Sequence, residues 1–344
     1  MLDAFDPGAL LRPAHAQTIL SSLPTRQWWL RRAAAELEAS SEVVDLTTDD
    51  DVHLRARVAV SHAAAPLVIL IHGWLGGDRS SYMLSNAMAL RAAGFNVARL
   101  NMRDHGDTEA LNEVMFNSGR IGEIIDASAQ LARTYGCGGA GLMGFSLGAN
   151  FALRAASSAC GTLRLPTLAV CPVIEPGPSA YAIDHGWYGY RLYFVRRWRR
   201  AFAAKQRAFP DDYDLRDAMR LSSVEALTDY FVERFTPYRD SEDYFSHYSL
   251  ANDLLEGLDA PTQIVAAADD PVIPLHGYDR LPHNRHLSIK ITRYGGHCGF
   301  VETARLKSRI DRLSVQFFER ELGRPPDSEP ARSDLQSCHR PSED

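Results

Sequence analysis

Residues 140–159 read AGLMGFSLGANFALRAASSA, and this stretch decides how the rest of the chain is understood. It begins as a run of small and apolar residues, as in a strand, and continues in a helix-forming pattern. Between the two stands Gly144-Phe145-Ser146-Leu147-Gly148, a G-x-S-x-G pattern. All of its fixed residues are common, so the five positions alone say little. Their context says more, because a nucleophilic serine of this type needs a strand before it and a helix after it. Such a turn forces the serine into a strained backbone conformation, and glycines remove the Cβ atoms that would clash. The helix start also aims backbone amides and the positive end of its dipole at a developing oxyanion.

A serine hydroxyl needs an adjacent base to attack at neutral pH. In this arrangement the chain order is Ser, then Asp or Glu, then His. Downstream of Ser146 lie Asp269 and Asp270 in VAAADDPVIP, and His297 in YGGHCGF. Each sits where an apolar strand gives way to a loop. Asp270 is favoured as the acid, standing at the strand end with Pro271 and Pro274 shaping the next loop. Asp269 is the alternative, with loop capping as its other role. An oxyanion hole requires two amides, and Leu147, directly after the nucleophile, supplies one. Trp74, in HGWLGG after the run APLVILIHG, is the candidate for the second.

Outward from this centre, short β-type runs alternate with helical patterns, which indicates an α/β sheet. SEVVDL and VHLRARVAV read as an antiparallel opening pair turned at residues 47–51. Further strands are expected at APLVILIHG, FNVARLNMR, GAGLMGF, PTLAVCPV, PTQIVAAADDP and LSIKITRYGG. The alternation stops at about 175–248, an insert rich in aromatics and arginine that is expected to form a helical cap. ETARLKSRIDRLSVQFFEREL reads as a closing amphipathic helix, and residues 323–344 as a polar, proline-rich disordered tail.

Composition narrows the function classes. The 344 residues carry a net charge of −6, which gives no electrostatic reason to expect nucleic acid. The five cysteines are irregularly spaced without a C-x-x-C, which suits a reducing compartment and argues against a disulfide framework or zinc site. No signal peptide and no apolar run of membrane-spanning length is present, so a soluble cytoplasmic protein is expected. The twelve histidines form no H-E-x-x-H, and neither a P-loop nor a G-x-G-x-x-G follows the first parallel strand. No metal and no cofactor are expected.

Several stretches resemble the YheT-like branch of the α/β-hydrolase superfamily, which also contains ABHD-type membrane lipases. They are His15-x-Gln17-Thr18, HGWLGGDRSSYM, NMRDHG, GFSLGAN, AADDPVIP and GGHCGF, spread over roughly residues 10–320. The resemblance implies a serine hydrolase acting on esters, with Ser146, Asp270 and His297 as its triad. Two departures stand out. Asn101-Met102-Arg103-Asp104-His105-Gly106 replaces a pattern that often carries a small residue or cysteine, and Asp49-Asp50-Asp51 replaces D-G-D.

The remaining candidates divide between sharp and bland readings. His72 is expected to bond loop backbone, and Cys298 to be a small packed residue. Arg103 and His105 are substrate-contact candidates from a strand-end loop, and Trp187 is one from the cap. Ion-pair and packing roles compete for all three. The cluster Arg196-Arg197-Trp198-Arg199-Arg200 and the pair Trp28-Trp29 are read as solvated, in preference to membrane-facing. The cluster is expected to pair partly with Asp211, Asp212 and Asp214. The resulting expectation is an α/β-hydrolase fold over residues 1–322, with an eight-stranded, mostly parallel sheet and a helical cap insertion. The substrate would be a small-molecule or lipid ester with an apolar acyl group, cleaved through an acyl-enzyme. The alternatives are a thioesterase or amidase on the same triad, or a non-catalytic ligand-binding protein of this fold.

Overall fold

The computed structural model describes residues 5–157, 165–251, 253–303 and 306–326. The tail expected at residues 323–344 lies outside them from residue 327 onward. Three short helices open the chain, α1 (Ala14–Ser22), α2 (Pro24–Ala33) and α3 (Ala35–Ser40). An antiparallel pair follows, β1 (Ser41–Thr47) and β2 (His53–Ala59), turned through Asp51 at φ 57°. The alternating part runs β3 (Leu67–Ile71), α4 (Ser81–Ala92), β4 (Asn96–Asn101), α5 (Gly122–Tyr135), β5 (Ala140–Phe145), α6 (Leu147–Ser157) and β6 (Thr167–Val170). Next come α7 (Pro176–His185), α8 (Tyr188–Ala208), α9 (Val224–Phe235) and α10 (Ser241–Ser246), then β7 (Thr262–Ala267), β8 (Leu287–Thr292) and α11 (Arg309–Leu322).

The eight strands form one sheet in the order β1-β2-β4-β3-β5-β6-β7-β8. β2 is antiparallel to β1 and β4, and the remaining pairs are parallel. The central strand β3 shows why. Its LVILI run is buried throughout, with Leu67, Ile69 and Ile71 joining the core on one face and Val68 and Leu70 the core on the other. A strand apolar on both faces has to be covered by helices on both, which parallel crossovers provide. The centre of the sheet ends in loops at one edge, where ligands of such sheets bind.

Three local expectations are corrected. The last helix starts at Arg309 rather than near Glu302. Val301 instead bridges Ser308, Leu306 takes φ 56°, and the Ser308 hydroxyl caps α11 at the Ile310 amide. Among the described residues, the arginine cluster of α8 makes no ion pair with Asp211, Asp212 or Asp214. Its residues point around the helix, so Arg197 and Arg199 donate to the Leu75 and Leu221 carbonyls, while Asp214 pairs with Arg216. Cys137 is disulfide-bonded, whereas Cys171 and Cys298 are free and buried. With that bond present, cysteine usage no longer argues for a reducing compartment. Among the described residues no helix is long and apolar enough to cross a membrane.

Candidate active site

Ser146 stands at the turn between β5 and α6 with φ 54°, a conformation that L residues adopt only when their surroundings enforce it. Its amide donates to the Val170 carbonyl, and its own carbonyl accepts from Ala149 and Asn150, so the helix begins at the serine itself. A Cβ at Gly144 would collide with the backbone of Gly148, and one at Gly148 with the carbonyls of Ile71 and His72. The two glycines are therefore demanded by close backbone approach.

The loops after β7 and β8 bring two further side chains to the serine. His297 Nε2 lies 3.0 Å from Ser146 Oγ, and His297 Nδ1 lies 2.9 Å from Asp270 Oδ2. A carboxylate only accepts, so in the neutral ring Nδ1 carries the proton and Nε2 accepts from the serine hydroxyl. Asp270 is fixed in turn by the amides of Val272 and Ile273, which donate to its Oδ1 at 2.8 and 3.0 Å. Asp269 instead caps the histidine loop, accepting from the Gly296 amide at 2.9 Å. Burial works against the charged imidazolium. The Asp270 carboxylate, Cys298 and the hydrogen bond to Asp270 outweigh it and lift His297 to about 9.

The loop after β3 passes over the serine. Its amides are engaged one by one: Gly73 donates to Tyr82 Oη, Leu75 to His105 Nε2, Gly76 to the Gly73 carbonyl and Gly77 to Ser80 Oγ. Among the described residues the amides of Trp74 and Leu147 have no acceptor. The Trp74 indole stacks on Phe194 of α8 at 5.6 Å and meets Trp198 edge-on at 4.7 Å. A cavity of about 600 Å³ opens above Ser146, walled by α1, α2 and the helices between β6 and β7. Ile19, Leu23, Ile183, Phe194 and Phe231 give it a mainly apolar lining.

With this geometry in place, comparison with known proteins places the molecule. Residues 68–306 match the Alpha/beta hydrolase family. The chain belongs to that family. Among its relatives are a phospholipase, ABHD3 of Mus musculus, and a monoacylglycerol lipase of Saccharomyces cerevisiae. The mouse protein is 23% identical over 279 residues, 76% of this chain and 65% of its own length. The yeast protein is 22% identical over 254 residues, 70% of this chain and 56% of its own length. The chain thus spans between about half and two thirds of the length of the relatives it matches. Among solved structures, the Pyrococcus furiosus esterase Pf2001 superposes with a TM-score of 0.57 at 17% identity, covering 84% of this chain and 96% of that one. A membrane phospholipase A described as a bacterial virulence factor gives 0.56 at 14% identity, covering 86% and 92%. At these identities the likeness is one of fold.

Of the substrate-contact candidates, Trp187 lines the cavity above Ser146, whereas Arg103 and His105 are not among its lining residues. Arg103 is buried and holds Glu123 Oε2 at 2.8 Å and the Val114 carbonyl at 2.9 Å. His105 is buried behind the loop after β3. Its Nδ1 faces the Arg103 carbonyl and its Nε2 accepts the Leu75 amide, at the point where Leu75 takes φ 58°. Burial and the neighbouring His72 bring His105 down to about 3, so it stays neutral and able to accept. His72 is neutral likewise, lowered by burial to about 4, and its Nε2 accepts the Met102 amide. The donor atoms of Cys171, His297 and Cys298 come within 4.8 Å of one another, a grouping the sequence did not suggest. Both ring nitrogens of His297 are already committed to Ser146 and Asp270, so a metal would have to displace one of them.

Proposed function

We propose that this protein is a serine hydrolase of carboxylic esters with an apolar acyl group, within the YheT-like branch of its family. The observation that carries this reading is the continuous hydrogen-bonded series Ser146, His297, Asp270 at the floor of an apolar cavity. Ser146 Oγ attacks the ester carbonyl while its proton passes to His297 Nε2. The oxyanion of the tetrahedral intermediate is received by the Trp74 and Leu147 amides. Collapse of the intermediate releases the alcohol, which takes the proton from His297 and leaves the acyl group on Ser146. Water then repeats the sequence, giving its proton to His297 and releasing the acid with Ser146 restored. Asp270 fixes the ring tautomer and stabilises the imidazolium throughout. No step calls on a metal or cofactor.

The cavity volume lies in the range typical of small-molecule sites, and its lining suits a hydrocarbon chain better than a charged acyl group. The named relatives, a phospholipase and a monoacylglycerol lipase, support a lipid ester as the substrate class. In this reading residues 1–322 are one domain, and the insertion at about 175–248 is its cap. Trp28, Trp29 and the α8 arginines keep their solvated role, which co-sedimentation with anionic liposomes tests directly.

The deciding experiment is labelling by a fluorophosphonate probe, run beside turnover of p-nitrophenyl esters of graded chain length. Both are expected in the wild type and absent in Ser146→Ala, a loss of about 10⁴-fold or more in kcat. Labelling that persists in Ser146→Ala would overturn the assignment of the nucleophile.

A further inference from the structure

The motif His15-x-Gln17-Thr18 stands about 130 residues ahead of the serine in the chain, yet in the fold it lies against the loop that carries His297. Gln17 is fully buried. Its Oε1 accepts the Val301 amide at 2.6 Å, and its Nε2 donates to the Val301 carbonyl at 3.1 Å and the Leu11 carbonyl at 2.7 Å. One side-chain amide therefore satisfies both backbone groups of Val301, as a neighbouring strand would. One residue on, the Thr18 hydroxyl donates to the Ala14 carbonyl and accepts the backbone amide of His297, both at 2.9 Å. That amide bond spans 279 positions in sequence.

The loop itself explains why outside support is needed. Gly295, Gly296, Cys298 and Phe300 all have positive φ. Two of them are not glycine, and such conformations persist only where the surroundings over-determine them. Contact with α1 is close enough to exclude side chains: a Cβ at Gly296 would lie 2.6 Å from the Ala14 carbonyl and the Thr18 hydroxyl, and one at Gly299 would strike the Gln17 carbonyl. The loop is pinned at Gly296 by Asp269, at His297 by Thr18 and at Val301 by Gln17. On its other side α1 touches the cap, where His15 Nδ1 lies 2.8 Å from Tyr190 Oη and the His15 ring packs on Trp187.

We infer that Thr18 is a positioning residue for the base: by holding the His297 amide it fixes where the imidazole begins, and Gln17 secures the same loop downstream. This rests on the reading of His297 as the base of Ser146. The imidazole has to satisfy Ser146 and Asp270 together, and misplacement by about 1 Å costs on the order of 10²-fold in rate. Thr18 thus acts through His297 and needs no contact with the reacting atoms.

Thr18→Val keeps the shape and removes the hydroxyl, and Thr18→Ser keeps the hydroxyl. The expected result is a fall of about 10- to 100-fold in kcat and in the rate of fluorophosphonate labelling for Thr18→Val, with KM changed much less. Thr18→Ser is expected to restore both. A purely structural role would lower the melting temperature and leave kcat of the folded enzyme alone, so both variants are assayed well below their melting temperatures. Thr18→Ala carries the same test if the valine variant does not fold. Wild-type kcat in the hydroxyl-free variant, or a serine variant as impaired as the valine one, overturns the inference. If the wild type itself neither labels nor turns over, the base assignment fails separately. The inference is then judged on the NMR resonance of the ring proton between His297 and Asp270. It should exchange faster in Thr18→Val, and an unchanged resonance overturns it.

Discussion

The turn that carries Ser146 and the loop that carries His297 hold their side chains by different means. The serine turn is largely local. The end of β5, the start of α6 and two glycines set its conformation, and the strands on either side of β5 add only backbone carbonyls: Val170, which takes the Ser146 amide, and Ile71 and His72, which Gly148 fits against. The histidine loop is held from outside, by Asp269 after β7 and by Gln17 and Thr18 at the far end of the chain. A short motif carries most of what specifies the first. The second is specified only when three distant segments have come together, so it depends on the fold as a whole.

The largest effect that would sharpen this contrast is expected from Asp270→Asn. It leaves the loop in place but spoils the tautomer, for a loss of about 10⁴-fold in kcat measured with a p-nitrophenyl ester. Gly148→Ala attacks the serine turn. Its new methyl group meets the Ile71 and His72 carbonyls, and a loss of about 3 kcal/mol or more in chemical denaturation is expected. If Gly148→Ala were as stable as the wild type, the idea that close backbone approach demands glycine in this turn would be broken. The pH profile distinguishes charge from position. The neutral imidazole is the active form, so kcat/KM should climb as pH rises toward about 9. Removing the Asp270 charge takes away the largest influence that raises the imidazole, so in Asp270→Asn the same limb should move to lower pH. A limb that stays in place would sever Asp270 from His297. Trp187→Ala is expected to act least, raising KM by less than about tenfold for long-chain esters, since the side chain is half exposed at the cavity wall.

What the sequence made legible follows the same division. Ser146, Asp270 and His297 could be proposed because each stands in a short pattern at a strand end, where the fold class itself assigns a place to it. The strands could be read because β3 and β5 are apolar without interruption and β4 carries Val97, Ala98 and Leu100 between its polar residues. Gln17 and Thr18 were visible only as a family resemblance, since nothing near them in the chain says what a buried amide or hydroxyl will meet. Arg103 and His105 stayed open between the cavity and ion-pair or packing roles for a related reason. A strand-end position suggests the cavity, but whether a side chain turns toward it or beneath the next loop depends on partners such as Glu123 and the Leu75 amide. The α8 arginines likewise found carbonyl partners that no charge pattern announces.

The contacts of Trp74 have a consequence for traffic through the site. The residue whose amide faces the reacting oxygen in the proposed mechanism is wedged by its ring between Phe194 and Trp198, and Arg197 holds the carbonyl of the next residue, Leu75. All three partners sit on one helix of the cap. A movement of α8 large enough to admit a bulky ester would pull on the same short loop that has to be still when charge develops. Door and anvil share one hinge, so whatever shifts the first is felt by the second.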